Sequence, residues 1–390
     1  MTNRLQLLYV SPVIPAFTGN GLAMRAAAIL EALAERCSVR LLVVPLYPPF
    51  EAPIPHAVAN LCVQSAVVSS APIIRLPSMR DPIDLRVGTA SKIYEDIRFD
   101  YVHVFRLAAL PYARPYLDPA SRPAPRRWLD LDDVESTTRR RLAQIHRAAG
   151  NETTALREEQ ESNRCGVLES ALLGEFDRVY VCSETDRVRL QAESSARVCV
   201  LPNTIRVPDP PVPAHVGDFS FLFVGTLGYY PNEDAVRYLA TEILPKVRRS
   251  AKKQIPVSVA GAGATRALQE FAKAHGVEIV GEVPDVRPWY ARSGAVVAPI
   301  RAGGGTRIKV LEAFAFRRPV VSTSLGVEGL NVQDGHHVLL GDEADSFAER
   351  CLRLWDDPLL AAHLVEQSYA LVLQSYTLDA LRRSLSVAVS

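Results

Sequence analysis

The string GGGTRIKVLEAFA, Gly303 to Ala315, holds residue types whose spacing suits anion chemistry. Three glycines, Gly303, Gly304 and Gly305, follow the apolar run AVVAPI, and Thr306 is placed to cap a helix running through Phe316. A glycine turn feeding a helix start exposes backbone N–H groups and the positive end of the helix dipole, a ready anion site. Arg307 and Lys309 add two charges in the first turn, where cations work against the helix itself. An anion in the site would relieve that conflict. Glu312 stands three residues beyond Lys309. It would repel a phosphate, but about one turn along it can accept hydrogen bonds from vicinal sugar hydroxyls. Phosphates at the helix start and a hydroxylated ring at Glu312 describe a nucleotide. The competing reading is a solvated Lys309–Glu312 ion pair on an ordinary helix, the glycines merely turning the chain.

Other candidates are scattered over the first half. TGNG places Gly19 and Gly21 in the first strand-to-helix turn, where their N–H groups would meet phosphates or simply make the turn. In DYVHVFRLA, His103 sits on an apolar strand and reads as a core histidine, whereas Arg106 at the strand end suits a polar role. LDLDDVES brings Asp132 and Asp133 to another strand terminus, and either would orient an acceptor hydroxyl. Asp130 and Asp132 also make a D-x-D, a short match to a metal motif, against which no metal is expected. VSVAGAGATR imitates a dinucleotide fingerprint through Gly261 and Gly263, but Arg266 occupies the third glycine position. An oxidoreductase is therefore disfavoured. TTRRRLAQIHR, Thr137 to Arg147, suits either a solvated helix face or contact with anionic lipid.

The elements that must carry these residues alternate regularly. Strands are expected at LQLLYVS, VRLLVVPL, DYVHVF, RRWLDL, DRVYVCS and VCVLPN, with a helix over Leu22–Cys37 and helical composition from Glu135 to Glu175. Ser183 and Asp186 have capping-box spacing, and the proline-dense Pro45–Pro82 reads as irregular. Four prolines between Val207 and Ala214 mark a stiff linker. The rhythm then restarts: FSFLFVG, a helix over Asn232–Arg249, IPVSVAG, a helix over Thr265–His275, VEIVG, GAVVAPI and PVVST, with a helical tail. The expected architecture is α/β, two doubly wound Rossmann-like domains whose ligand lies at the carboxyl ends of the strands. The domains are drawn at 1–206 and 218–390, joined by 207–217, with the last helices packing back on the first domain.

Bulk numbers narrow the function classes. With 390 residues the chain suits two domains. Lys and Arg total 44 and Asp and Glu 43, a net charge of +1, which argues against a nucleic-acid partner. Six dispersed cysteines with no C-x-x-C read as reduced thiols. The N-terminal apolar run is too short for a signal peptide, and no stretch is long enough to span a bilayer. A cytoplasmic location is expected, with membrane contact at most peripheral.

GGGTRIKVLEAFAFRRPVVSTSLGVEGL resembles the donor-site signature of retaining family-4 glycosyltransferases with the GT-B fold. FLFVGTLGYYPNEDAVRYLATEILPKVR, VSVAGAG and GEVPDVRPWYARSGAVVAPI follow the family's order in the second half, as VYVCSETDRVRL and LPN do before the linker. The resemblance implies transfer of a sugar from a nucleotide sugar, with UDP or GDP as carrier, to a sugar, lipid-linked or small-molecule acceptor hydroxyl. It implies retention of configuration by front-face attack, and neither cofactor nor metal. It gives Glu312 the ribose, makes Arg307 and Lys309 catalytic cations on the diphosphate, and adds Gly225 and Thr226 to the donor site. Three departures stand out. Gly304 occupies the place of a first glutamate, Thr226 that of an arginine, and Phe105 that of a catalytic-loop histidine. They keep open a non-catalytic nucleotide-sugar-binding protein or, less closely, an epimerase.

Overall fold

The computed structural model describes residues 4–47, 52–68, 93–95, 97–118, 123–193, 197–213, 215, 219–304 and 307–386. The chain divides into two compact units. One comprises Met1–Ser136, Glu159–Asn203 and Leu381–Ser390, and the other Thr137–Glu158 and Thr204–Ala380.

In the first unit, β1 (Leu5–Ser11), β2 (Cys37–Val43), β3 (Gln64–Val67), β4 (Tyr101–Phe105), β5 (Arg126–Leu131), β6 (Arg178–Val181) and β7 (Val198–Val200) form one sheet. Their order is β3-β2-β1-β4-β5-β6-β7, and every pair is parallel. β4 is buried along its whole length, as a strand covered on both faces must be. In the second unit, β8 (Phe221–Val224), β9 (Val257–Ala260), β10 (Glu278–Gly281), β11 (Ala295–Ala298), β12 (Val320–Ser322) and β13 (Leu339–Leu340) run in the order β10-β9-β8-β11-β12-β13. They too are all parallel. Phe221, Leu222 and Phe223 are fully buried, each worth about 1.5–3 kcal/mol of apolar burial. Each sheet reverses its winding once, between β1 and β4 and between β8 and β11. Those switch points are where doubly wound sheets open a crevice at the strand ends.

The expected α/β architecture is thus the one found, with local differences. The first helix runs Gly21–Ala34, and Cys37 opens β2 instead of ending that helix. The proline-dense segment includes β3, a half-exposed edge strand with no apolar run to announce it. The helix expected over Asn232–Arg249 widens into a π turn at Leu239–Ile243. Pro245, at the start of the next helical segment, has no N–H to continue the ladder. Glu135–Ala148 and Glu152–Leu172 are separate helices, broken where Gly150 takes φ +75°. Ser183 accepts from the Asp186 N–H at 3.0 Å, the cap its spacing suggested. Gly305 and Thr306 lie outside the described residues. None of the six cysteines is joined to another. Among the described residues, no helix is long and apolar enough to cross a membrane.

Candidate functional site

Two loops meet at the switch point of the second sheet, one leaving β8 and one leaving β11. The first, Gly225–Tyr229, lies so close to the loop after β9 that glycine is obligatory there. A Cβ on Gly261 would fall 1.9 Å from the Gly225 carbonyl oxygen, and one on Gly263 2.7 Å from the Gly228 nitrogen. The apparent dinucleotide fingerprint therefore has a packing reason. Asn232 holds the turn by donating from Nδ2 to the Thr226 carbonyl at 2.8 Å.

Its other amide atom, Oδ1, accepts from the Lys309 ammonium. Lys309 reaches across from the Ile308–Ala315 helix, with Nζ 4.6 Å from the centre of the Phe223 ring. Gly225 makes room, since a Cβ there would stand 3.1 Å from Nζ. Burial, and then the like charge of Arg307, pull the Lys309 ammonium from 10.5 down to about 7. The site therefore keeps a cation under electrostatic duress.

Glu312 goes a different way. Its Oε2 accepts from the Tyr290 hydroxyl at 2.8 Å. Tyr290 is fully buried and stacks on Phe316 at 4.4 Å. Burial raises the Glu312 carboxyl above the usual range, and the Tyr290 bond opposes the rise. Among the described residues, its Oε1 accepts no hydrogen bond. Lys309 and Glu312 do not pair with each other, so the solvated ion-pair reading fails. They stand on one helix as separate polar groups, a cation and an acceptor.

Arg307 is the N-cap residue of that helix and does not cap it with its side chain. The residue is 8% exposed, and its guanidinium turns back on the loop. Nη1 donates to the Gly304 carbonyl, Nη2 to the Gly303 carbonyl at 2.8 Å and Nε to the Leu325 carbonyl at 3.3 Å. Gly303 itself takes φ +107°, a conformation that favours glycine. Sequence reasoning missed two further groups here. Arg301 makes a fork with Asp234 at 2.6 and 3.0 Å. Arg141, from the Glu135–Ala148 helix, donates to the Gly303 carbonyl at 2.9 Å.

The first unit gathers its own cluster at its own switch point. Gly19 takes φ +102°, and Asn20 caps the Gly21–Ala34 helix through the Ala23 N–H at 2.9 Å. Arg106, after β4, forks onto Asp132 at 2.6 and 2.7 Å and lies over the Tyr47 ring at 4.9 Å. Its φ of +62° is unusual for a non-glycine residue, the kind of outlier that gathers at functional loops. Asp133 is half-buried on the bend after β5. Phe105 is completely buried and offers this end of the sheet no polar group.

Beneath them lies a charged core that the sequence hides. Arg25, 3% exposed in an otherwise apolar helix, bonds Asp130 at 2.8 Å and reaches the Leu201 carbonyl and Asn203. Burial lifts the Asp130 carboxyl to about 6 against the pull of Arg25. His103 is indeed a core residue, but among the described residues neither ring nitrogen has a hydrogen-bond partner. Burial and then the charge of Arg25 hold it neutral, down to about 3. Asp130 and Asp132 are each committed to an arginine, so their D-x-D spacing has a structural explanation. Among the described residues, no group of three His, Cys, Asp or Glu side chains is placed to hold a metal.

Residues 218–357 match the family model described as Glycosyl transferases group 1. No curated protein matches the chain in sequence. Among solved structures, the chain is similar to a sucrose-phosphate synthase from Thermosynechococcus elongatus, with TM-score 0.75 and 15% identity over 99% of this chain and 98% of that one. It is similar to Anabaena HepE in complex with UDP and glucose, with TM-score 0.66 and 12% identity over 99% of both chains. A glycosyltransferase from Rickettsia africae gives TM-score 0.65 and 12% identity over 99% and 98% of the two chains. These likenesses extend over both sheets, and the fold is that of GT-B glycosyltransferases.

Proposed function

We propose that the chain is a retaining glycosyltransferase of the family-4 kind, carrying a sugar from a nucleoside diphosphate to an acceptor hydroxyl. The observation that carries this reading is the divergence of Lys309 and Glu312 on one helix at the switch point of the second sheet. Lys309 faces the glycine loops, where a diphosphate would find a cation and exposed amides. Glu312, steadied by Tyr290, keeps an oxygen for the vicinal hydroxyls of a ribose. The match over 218–357 supports the same use of this unit, and HepE, of like fold, was also solved with UDP-glucose. UDP sugars are therefore the first donors to test, and GDP sugars the second.

In this mechanism the acceptor attacks from the face the leaving diphosphate vacates, without a protein nucleophile. Lys309 and the helix start absorb the charge that develops on the diphosphate. Arg307 adds its field while its donors hold the loop carbonyls. Gly225, Thr226, Gly303 and Gly304 supply backbone around the donor. Arg106 and Asp133 orient the acceptor. The reaction needs neither cofactor nor metal, and its setting is the cytoplasm.

Thermal shift against UDP, GDP, ADP and their sugars tests the donor site, because a ligand bound only by the folded state raises apparent stability. Transfer to an acceptor, followed by anomeric assignment of the product, tests the chemistry. Buried Phe105 and Gly304 favour one alternative, a nucleotide-sugar-binding protein without turnover. Tight UDP or GDP binding with neither transfer nor hydrolysis selects it.

A further inference from the structure

We propose that Arg141 is a positioning residue of the donor site, acting on the Gly303–Gly304 peptide in concert with Glu328; this rests on the nucleotide-sugar reading above. Arg139, Arg140 and Arg141 are consecutive on the Glu135–Ala148 helix, so about 100° separates each from the next and they point apart. Arg139 pairs with Glu158 at 3.0 Å, and Arg140 is exposed. Arg141 instead forks onto Glu328 at 2.6 and 2.7 Å, and Nη1 also reaches the Gly303 carbonyl at 2.9 Å. The run read from sequence as a solvated or lipid-facing patch thus sends one member into the glycine loop.

The consequence follows from peptide planarity. The Gly303 carbonyl accepts from two guanidinium groups, Arg141 at 2.9 Å and Arg307 at 2.8 Å. In a trans peptide the following N–H points opposite to the carbonyl. The Gly304 N–H is therefore directed away from both cations, leaving it for an incoming acceptor such as a phosphate oxygen. Without Arg141 the plane is held from one side only, and its N–H loses its fixed aim. The same helix also touches the other candidate loop, since His146 stacks on Tyr230 at 4.4 Å and 26°. Tyr230 opens the helix that follows Gly225–Tyr229.

An ion pair with side chains 18% and 25% exposed contributes little to global stability, typically about 1 kcal/mol or less. Its loss should therefore register in ligand binding more than in melting. The test measures UDP and GDP affinity by calorimetry, and melting temperature, for the full chain and for R141Q, R141K, E328Q and E312Q. The expectation for R141Q is an affinity loss on the order of tenfold, as misplaced binding groups give, with melting within about 3 °C of wild type. R141K, which keeps the charge but not the fork, should fall between. E328Q, which leaves the Gly303 contact in place, should lose less than R141Q.

Wild-type affinity in R141Q overturns the proposal, and if E312Q loses affinity in that same experiment the donor site itself stands. Binding that falls only in step with a lowered melting temperature also overturns it, since the role would then be structural. If R141Q does not fold, E328Q and R141K carry the decision: unchanged affinity in both overturns the proposal, and a loss without a melting change supports it. Failure of the wild-type chain to bind either nucleotide overturns both readings at once.

Discussion

Donor binding should draw a proton into the protein at Lys309. The free ammonium titrates at about 7, because burial and Arg307 oppose its charge and Asn232 supplies a neutral acceptor only. A diphosphate laid against it would restore the pKa toward 10.5, since an opposite charge favours the ionised form. At pH 8 about a tenth of the free sites are protonated, so binding takes up roughly 0.9 proton; at pH 7 the figure is roughly 0.5. Affinity should fall by up to about tenfold per pH unit above 7, until the pKa of the bound state is passed. Burial raises the Glu312 carboxyl, so any ionisation of that group on binding would release a proton and act in the other sense. Calorimetry with a nucleotide sugar at pH 6, 7 and 8, in two buffers of different ionisation enthalpy, reads the proton count directly. A nucleotide sugar is the right probe, having no secondary phosphate ionisation of its own. K309M should abolish the uptake and weaken binding. It should also remove a slope in stability: between about 7 and 10.5 the unfolded chain binds more protons at this position, so wild-type stability rises with pH in that window. No proton uptake at pH 8, together with affinity constant from pH 7 to 9, would refute the assignment of Lys309 to the diphosphate.

Three further expectations follow from single contacts. E312Q keeps an acceptor for Tyr290 and loses the charge, so nucleotide affinity should drop between about tenfold and a hundredfold with melting almost unmoved; E312A should lose more, and unchanged affinity in both would remove Glu312 from the site. G261A drives a Cβ to 1.9 Å from the Gly225 backbone and should cost about 3 kcal/mol or more in denaturant titration, whereas G19A meets open space and should cost only about 1–2 kcal/mol of backbone strain. Equal losses would show that the close approach of those two loops does not constrain the site. R25L and D130L should each cost about 3–5 kcal/mol by stranding the buried partner, and the double variant should cost less than either alone. Additive losses in that cycle would contradict the pairing.

Much of the scaffold was legible in the sequence because it is written locally. Continuous apolar runs such as FLFV and AVVA can be buried on both faces only in parallel sheets, and their alternation with helical periodicity yields two doubly wound units. The order of glycines, cations and acid in GGGTRIKVLE likewise marked the loop and helix on which the candidate site is built. Elements without such local marks went unseen. β3 is a half-exposed edge strand inside a proline-dense segment, and β13 has only two residues.

Partner choice was decided by the tertiary structure. Nothing local tells Lys309 to leave Glu312 for Asn232, 77 positions away, or Glu312 to take the Tyr290 hydroxyl, 22 positions away. Arg307 reads as a phosphate ligand and instead locks its own loop, because donors that reach buried carbonyls satisfy them at once. Arg25 and Asp130, 105 positions apart, make sense only once a helix and a strand are packed together. The same holds for Arg141, which reaches Gly303 from 162 positions away. A sequence states which groups exist and on what local surface. Which of them meet is set by the fold, which brings distant loops within hydrogen-bond range and makes unpaired burial costly.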